Sequence, residues 1–273
     1  FHVQDKIFEY SILDSGFHKK NVQNNIHKLK YYYSIPALLG PFNLKAEAYY
    51  EKYNSTYNLN KTAQYIRLDI EVNKSIRWAK RRYFNTRIAT SFFPMNTEGN
   101  RNSIGSRNDQ RFIRGSSGAA FQGYLDYTNE NDFLGRTASQ GLWSQQIEIR
   151  QGGLKIAPGV AQRTNLGNTN SFLLAANFSS DLPIKFIGQI FRPYFDIASV
   201  SSVNNGVKEM ITLYSGGIQL HLIPEFFDIY LPIFHSENIR SIYRADSRNY
   251  LKQVCFSLKF NFDHIKDIAN FVQ

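Results

Sequence analysis

The sequence has little of what marks disulfide-stabilised, helical membrane or metal-binding proteins. It contains one cysteine, Cys255, so it forms no internal disulfide and holds no cysteine cluster for a metal. It has no apolar run of about 18 residues, the length that indicates a transmembrane helix. Methionine occurs only twice, against 22 phenylalanines and 17 tyrosines, and this bias favours strands over helices.

Signatures of catalysis are also missing. A His-Glu-x-x-His zinc peptidase needs two histidines one helical turn apart and a Glu between them as general base. Neither feature occurs among His2, His18, His27, His221, His235 and His264. A phosphate-binding Gly-x-x-x-x-Gly-Lys loop is absent, and Gly115–Gly118 lacks the spacing of a nucleophile elbow. A Ser–His–Asp triad assembled from distant residues stays open, but the sequence predicts no catalytic residue, no metal site and no cofactor.

The chain is basic, with a formal net charge of +10 and an isoelectric point of about 9.5. Its sharpest basic patch is 77–87, RWAKRRYFNTR, in which aromatic residues interleave with the cations, as in proteins that bind single-stranded nucleic acid. The alternative is that Lys80, Arg81 and Arg82 form a solvated turn or a membrane-interface segment. The remaining positive charge is scattered along the chain, which favours this alternative and predicts no nucleic-acid partner.

Apolar and polar residues alternate with period two in several stretches. The clearest row has Ile66, Leu68, Ile70 and Val72 between Arg67, Asp69, Glu71 and Asn73. Similar rows run through Phe84–Phe92, Ile218–Leu222, Phe227–Leu231 and Val254–Phe262. Each row gives a strand one apolar and one polar face, whereas a helix would need apolar residues three and four apart.

Polar, turn-rich stretches separate these rows, the longest at 96–117 and 236–249. Strands joined alternately by short turns and long loops are typical of an up-and-down barrel. With strands of about 9–11 residues, we predict an antiparallel transmembrane β-barrel of about 10–12 strands. It would form a single domain over residues 1–273, either alone or as the C-terminal part of a longer protein. A soluble β-sandwich has the same alternation, so periodicity alone leaves both folds open.

The last alternating row favours the barrel, because outer-membrane barrels commonly end in an amphipathic strand rich in aromatics. We expect 250–262 to be the closing strand, paired with the first strand so that no edge is left in lipid. Its lipid-facing residues would be Val254, Phe256, Leu258, Phe260 and Phe262, with Ser257, Lys259 and Asn261 facing the lumen. The opposite orientation would place Lys259 in hydrocarbon at a cost of about 2–4 kcal/mol. A short amphipathic C-terminal helix is predicted over 263–273.

Single residues outside that strand also have expected positions. Trp143, Tyr230 and Phe234 are predicted to lie at the lipid interface, where aromatic residues flank the apolar band of a barrel. The pairs Gly152–Gly153 and Gly216–Gly217 are expected where a strand bends or approaches a neighbour closely.

Three stretches resemble one family of proteins. They are 131–146 (NDFLGRTASQGLWSQQ) with Gly152–Lys155 after it, 191–198 (FRPYFDIA), and 216–234 (GGIQLHLIPEFFDIYLPIF). In that order and spacing they resemble the C-terminal region of large Gram-negative, Bacteroidetes-type outer-membrane proteins classed as gluzincin zinc aminopeptidases. The resemblance covers the second half of the chain well and the first half loosely. It implies a C-terminal membrane barrel, while the zinc-binding motif itself is absent from this chain.

Function is therefore expected to be structural. The first hypothesis is a non-catalytic anchor or scaffold in the outer membrane, with lipid and other envelope proteins as partners. The alternative is a free-standing pore or transporter for small solutes, and a weaker one is a soluble glycan-binding β-sandwich. A barrel of about eight strands is filled by its side chains and one of about sixteen leaves a channel, so the expected strand number leaves conduction open.

Overall fold

The computed structural model describes residues 2–13, 16–37, 40–54, 62–97, 113–114, 141–147, 149, 151–157, 167–169, 171–184, 187–204, 207–223 and 226–258. These residues form strands β1 (His2–Leu13), β2 (Gly16–Ala37), β3 (Gly40–Asn54), β4 (Thr62–Ala79), β5 (Arg82–Asn96), β6 (Ile113–Arg114), β7 (Asn168–Thr169), β8 (Phe172–Ser180), β9 (Phe191–Asn204), β10 (Val207–Ile223), β11 (Phe227–His235) and β12 (Cys255–Leu258). Between β11 and β12 lies one α-helix, α1 (Glu237–Ala245).

Ten of the strands form a single antiparallel sheet in the order β1-β2-β3-β4-β5-β8-β9-β10-β11-β12, and β6 pairs with β7 separately. Strands that follow one another along the chain are neighbours in the sheet, apart from the β6–β7 pair, so the topology is up-and-down. The predicted antiparallel all-β fold is confirmed. In the described part of the chain β1 and β12 are the two ends of the sheet, so closure into a barrel is not confirmed.

The period-two rows of the sequence are strands with two chemically different faces. In β4 the apolar row Ile66–Val72 lies on one face, while Arg67, Asp69 and Glu71 lie on the other. The register carries this pattern to the next strand, since Leu68 pairs with Phe92 and Val72 with Ile88. Because side chains alternate along a strand, this register brings apolar residues of β4 and β5 to the same face of the sheet.

The buried apolar core lies on the face of the sheet that carries the charged residues. It is close to the end of β11, where the chain continues into α1. Its members come from strands β8–β10, from a segment that crosses the sheet, and from α1. They are Leu154, Ile156, Ala157, Leu173, Ala175, Ala198, Val200, Leu213, Ile239 and Tyr243. The core therefore ties the crossing segment and the helix to the same side of the sheet.

The helix corrects one prediction, because 236–249 was expected to be a polar loop. Ile239, Ile242 and Tyr243 recur at three- and four-residue spacing and form one apolar stripe towards the core. Glu237 in the first turn and Arg244 in the last complement the helix dipole. The polar residues between these apolar ones lie on the exposed side of the helix. They make the apolar spacing difficult to recognise in the sequence. No helix in the described part of the chain is long and apolar enough to span a membrane.

The closing strand differs from its prediction. Residues 250–252 form a short 3-10 helix, Val254 precedes the strand, and β12 covers only Cys255–Leu258. On one side β12 pairs with β11. On its other side the Ile147 amide donates to the Phe256 carbonyl over 2.7 Å, beside a parallel bridge from Gln146. Among the described residues the second neighbour of Cys255–Leu258 is thus this segment, because the chain before β7 returns to the edge of the sheet. The pairing of the closing strand with the first strand stays a prediction. Phe260, Phe262, Lys259, Asn261 and the predicted helix over 263–273 lie outside the described residues.

The basic patch at 77–87 is a hairpin. It covers the end of β4, a turn at Lys80 and Arg81, and the start of β5. Both turn residues are exposed, so the interpretation of the patch as a turn is confirmed. Most of the predicted loop at 96–117 lies outside the described residues, although Ile113–Arg114 within it forms β6.

Candidate functional site

One face of the sheet is apolar and exposed, and we call it the apolar face. It is formed by alternate residues of Leu29–Ile35, Leu44–Tyr50, Ile66–Val72, Phe84–Phe92, Phe172–Phe178, Phe191–Ile197, Met210–Leu222 and Phe227–Leu231. None of the residues that these stretches place on this face is Asp, Glu, Lys or Arg. Large side chains there remain open to the surroundings, with exposed fractions of 67% at Leu29, 46% at Ile88 and 47% at Leu174.

Aromatic rings form a continuous row across the apolar face. Phe84 and Phe178 have ring centroids 6.1 Å apart, and Phe178 and Phe195 have centroids 6.5 Å apart. Phe195 then lies 6.1 Å from Phe234 and 6.5 Å from Tyr214. The row connects β5, β8, β9, β10 and β11, and offset aromatic pairs of this kind add stability beyond the area they cover.

Gly216 makes room for the last ring of that row. A Cβ at this position would lie 2.2 Å from the tip of the Phe234 ring, so the ring occupies the place of the missing side chain. The register between β10 and β11 shifts between Gly216 and Gly217, which marks a β-bulge. The expectation that this glycine pair permits a bend and a close approach is confirmed.

The opposite side, which we call the reverse face, is rich in charged and amide side chains. At its centre Arg87 contacts three groups from different parts of the chain. Its guanidinium lies 2.5 Å from Glu71 Oε2, and it donates over 2.8 Å to Asn177 Oδ1 and over 2.8 Å to the Gln151 carbonyl. Burial makes such charges costly unless they are paired and hydrogen-bonded, and Arg87 is both.

The stretch 151–157, which we call the inserted segment, lies against the reverse face. Lys155 Nζ lies 2.6 Å from Asp196 Oδ1, and the Asp196 side chain is inaccessible to solvent. Asn177 donates to the Gly152 carbonyl over 3.2 Å and to Asp196 over 3.0 Å. Together with Arg87, these contacts hold the segment against strands β5, β8 and β9.

Gly153 allows the inserted segment to approach this closely. It has φ +66°, a conformation that favours glycine. A Cβ there would lie 2.5 Å from Asn177 Oδ1 and 2.8 Å from the nearest Arg87 nitrogen. The predicted close approach at Gly152–Gly153 is therefore confirmed. Gly153 itself is not in a strand, and it approaches the strands of the sheet that carry Arg87 and Asn177.

A second charged cluster lies on the reverse face near β2–β4. The Arg67 guanidinium stacks 4.2 Å from the centre of the Tyr49 ring and pairs with Asp69 at 3.0 Å. The Tyr49 hydroxyl donates to Glu47, whose carboxylate lies 3.1 Å from Lys45 Nζ. The cluster is a cation–π and ion-pair network within the sheet itself.

Tyr230 does not share the apolar face with Phe234, although both were predicted to lie at the lipid interface. It is only 2% exposed and lies on the reverse face, where its hydroxyl is 3.2 Å from Ser257 Oγ and its ring packs edge-on against Tyr194. Asp228 and Ser257 occupy the same face. The reason is the alternation of side chains along β11. Tyr230 points to the same face as Asp228, whereas Ile229 points to the apolar face.

The other predicted interface residues have different positions. Phe234 lies on the apolar face and is 42% exposed. Trp143 is 44% exposed, but it belongs to a short 3-10 helix and packs edge-on against Phe256 at 6.0 Å. Phe256 points to the apolar side and is only 6% exposed, because Trp143 packs against it, and its contact with lipid stays a prediction. Leu258 is half-buried on the same side, and Ser257 points to the reverse face as expected.

Sequence reasoning missed the contacts of Lys155, Asp196, Asn177 and Arg87. Arg87 and Asp196 do stand at the polar positions of alternating rows, which is the signal that could have placed them on one face. Lys155 has no such signal, because the inserted segment has no periodicity. Its link to Asp196 joins residues 41 apart in sequence.

No set of three or more His, Cys, Asp or Glu side chains in the described part of the chain is arranged to hold a metal ion. Comparisons with protein-family models, curated proteins and solved structures found no match. The resemblance to the barrel region of the gluzincin-type proteins thus stays a hypothesis.

Proposed function

We propose that this chain is a membrane-embedded β-sheet protein of a Gram-negative outer membrane, where it acts as a non-catalytic anchor or scaffold. Its apolar face contacts lipid, and its reverse face points away from lipid and packs against the inserted segment and α1. Membrane lipid and other envelope proteins are its partners. The resemblance to the gluzincin-type proteins supports this proposal and suggests a surface-exposed domain as the anchored cargo.

The observation that carries the proposal is the exposed apolar face. Exposed apolar patches on soluble monomers rarely exceed a few hundred Å², whereas this face continues from β2 to β11. Large side chains along it are substantially exposed, among them Ile88, Leu174 and Met210. A hydrocarbon environment would accept these side chains without penalty. Lys74 of β4 also lies on this face, and its Nζ donates to the Gly40 carbonyl over 2.9 Å where β3 begins.

The distribution of charge gives a second argument. Ion pairs such as Lys155–Asp196 and Arg87–Glu71 are on the reverse face, shielded from the surroundings of the apolar face. A soluble sheet protein places its apolar residues towards its core and its charges outward, whereas here the buried core shares its face with ion pairs and the opposite face is apolar and exposed. The strands also suit the proposal, because a tilted membrane crossing needs about 9–11 residues and β2–β5, β9 and β10 exceed that length.

The inserted segment favours an anchor over a pore. It is fastened to strands β5, β8 and β9 by buried polar contacts and lies where a barrel would have its lumen. A stable aqueous path along these strands would require these contacts to break. The soluble-sandwich alternative would need a second layer on the apolar face, yet α1 and the inserted segment both pack on the other side.

Membrane dependence tests the proposal directly. The chain is expressed without a membrane fraction and then assayed with and without detergent. The expected result is aggregation in plain buffer and a folded species in detergent or lipid. A monomeric, folded product in buffer would contradict the membrane assignment. Reconstitution into a planar bilayer separates the two membrane functions: the anchor gives no steady conductance, and stable channel openings would support the pore instead.

A further inference from the structure

A small cavity lies at the junction between β11 and α1, at the edge of the apolar face. It has a volume of about 240 Å³. We call it the arginine pocket, because Arg240, Arg244 and Arg248 all line it. Its remaining walls are Ile233, Phe234, His235, Tyr243, Ser247 and Gln253.

His235 is the most unusual residue of the arginine pocket. Its side chain is only 6% exposed, and neither ring nitrogen has a hydrogen-bond partner among the described residues. Its ring packs edge-on against Tyr243, with centroids 5.1 Å apart, so the imidazole is held in place. A buried polar group without a partner costs free energy, so each one in a folded protein calls for an explanation, and a bound water or ion is one of them. An imidazole can donate one hydrogen bond and accept another.

The arginines give the pocket spare positive charge. Arg240 and Arg244 share a single carboxylate, Glu237, at 3.3 Å and 3.0 Å. Arg248 contacts Asp246 at 3.1 Å through its Nε. A guanidinium has five N–H donors and these contacts use few of them. Three cations with two carboxylate partners leave the pocket suited to an anion, and planar guanidinium groups match phosphate oxygens particularly well.

We propose that the arginine pocket binds the phosphate group of an anionic membrane lipid. The position of the pocket supports this ligand, because two of its walls, Ile233 and Phe234, are 69% and 42% exposed. Phe234 belongs to the aromatic row of the apolar face. A ligand with its phosphate among the arginines could thus lay its acyl chains along that face. This inference rests on the proposed membrane function and adds a specific lipid site to it.

Lipid binding to the full chain purified in a nonionic detergent tests the site. Three probes are titrated: phosphatidylglycerol, phosphatidylcholine and inorganic phosphate. We expect phosphatidylglycerol to bind about tenfold or more tightly than either of the others, because it alone combines net negative charge with acyl chains. The variant Arg240→Gln/Arg244→Gln/Arg248→Gln should lose roughly tenfold or more of that affinity.

A matched control removes the same charge elsewhere. Arg77→Gln/Lys80→Gln/Arg81→Gln alters exposed residues at the β4–β5 turn, which strands β8, β9 and β10 separate from β11 and the pocket. It should bind phosphatidylglycerol as the parent chain does. His235→Leu, which keeps the site filled but removes both nitrogens, should weaken binding without changing the net charge. Circular dichroism in the same detergent confirms that each variant is folded.

Three results would overturn the inference: equal affinity for phosphatidylglycerol and phosphatidylcholine, equal losses in both triple variants, or inorganic phosphate binding as tightly as the lipid. The last result would make the pocket a site for a free anion. Failure of the membrane proposal is recognised separately, since the chain would then stay out of pure phosphatidylcholine vesicles. A chain that enters those vesicles but does not prefer phosphatidylglycerol contradicts the lipid site alone.

Discussion

Lys155 Nζ lies 2.6 Å from Asp196 Oδ1, and this ion pair joins the inserted segment to the centre of the reverse face. Both side chains are almost completely shielded from solvent. Their connection spans 41 residues of sequence and holds a segment without regular structure across three strands.

Breaking this pair should be costly. Lys155→Met leaves a buried carboxylate without its cation, and we expect the free energy of unfolding to fall by about 3–5 kcal/mol. Lys155→Met/Asp196→Leu removes both charges and should recover most of the loss. Urea unfolding in detergent measures both. As the control, Glu237→Gln removes the two exposed ion pairs with Arg240 and Arg244 and should cost less than about 1 kcal/mol. An equal cost for Lys155→Met would mean that the buried pair does not hold the segment.

The contact between Gly216 and Phe234 predicts a coupled pair of substitutions. Gly216→Val would push a branched side chain into the Phe234 ring and should destabilise the sheet by about 1–3 kcal/mol. In a Phe234→Ala background the same change should cost much less, because the space is then free. A double-mutant cycle in unfolding free energy measures this coupling, and additive effects of the two changes would contradict the packing described here.

A charge on the apolar face separates a membrane sheet from a soluble one. Leu174 is 47% exposed, so in a soluble protein Leu174→Lys would change stability by no more than about 0.5 kcal/mol. In a bilayer the same change should cost about 2–4 kcal/mol near the midplane. Folding into lipid vesicles is the measurement, with Leu174→Ala as the control for lost apolar area. Tolerance of the lysine would argue against contact with hydrocarbon.

The packing of α1 against the inserted segment can be tested by measuring stability as a function of pH. The Tyr243 hydroxyl accepts a hydrogen bond from the Ala157 amide at 3.3 Å, and burial raises the pKa of Tyr243. The usual pKa of tyrosine is about 10. Below that pH the phenol of Tyr243 is neutral in the folded and in the unfolded chain, and Tyr243→Phe should lower the free energy of unfolding by about 0.5–1.5 kcal/mol. Above that pH the unfolded state loses its proton first, so the parent chain loses stability and the deficit of the variant shrinks.

Unfolding free energies of the two proteins between pH 8 and about 11 check this prediction. Other buried tyrosines titrate alike in both proteins, so only the difference between them is informative. A deficit that stays constant across this range would show that Tyr243 reaches solvent and that the helix is not docked through it.

The strands and their faces were predictable from the sequence, because alternation such as Ile66–Val72 is a local property that side-chain geometry imposes. Tertiary contacts were not. Tyr230 fits an aromatic-interface pattern, but the register of β11 with β10 turns it to the reverse face. Helix α1 has too few apolar residues to stand out among the polar ones around them, and Lys155 lies in a segment whose position depends on distant partners.

The central claim is that the apolar face contacts lipid, and adjacent residues of β8 test it. Leu174 is 47% exposed on that face, while Ala175 is 2% exposed on the other. In a Cys255→Ala background, Leu174→Cys and Ala175→Cys are placed in lipid vesicles and treated with a membrane-confined thiol reagent. We predict labelling at 174 and protection at 175. If position 174 is instead protected from that reagent and labelled by a water-soluble maleimide, the apolar face does not contact lipid and the account is contradicted.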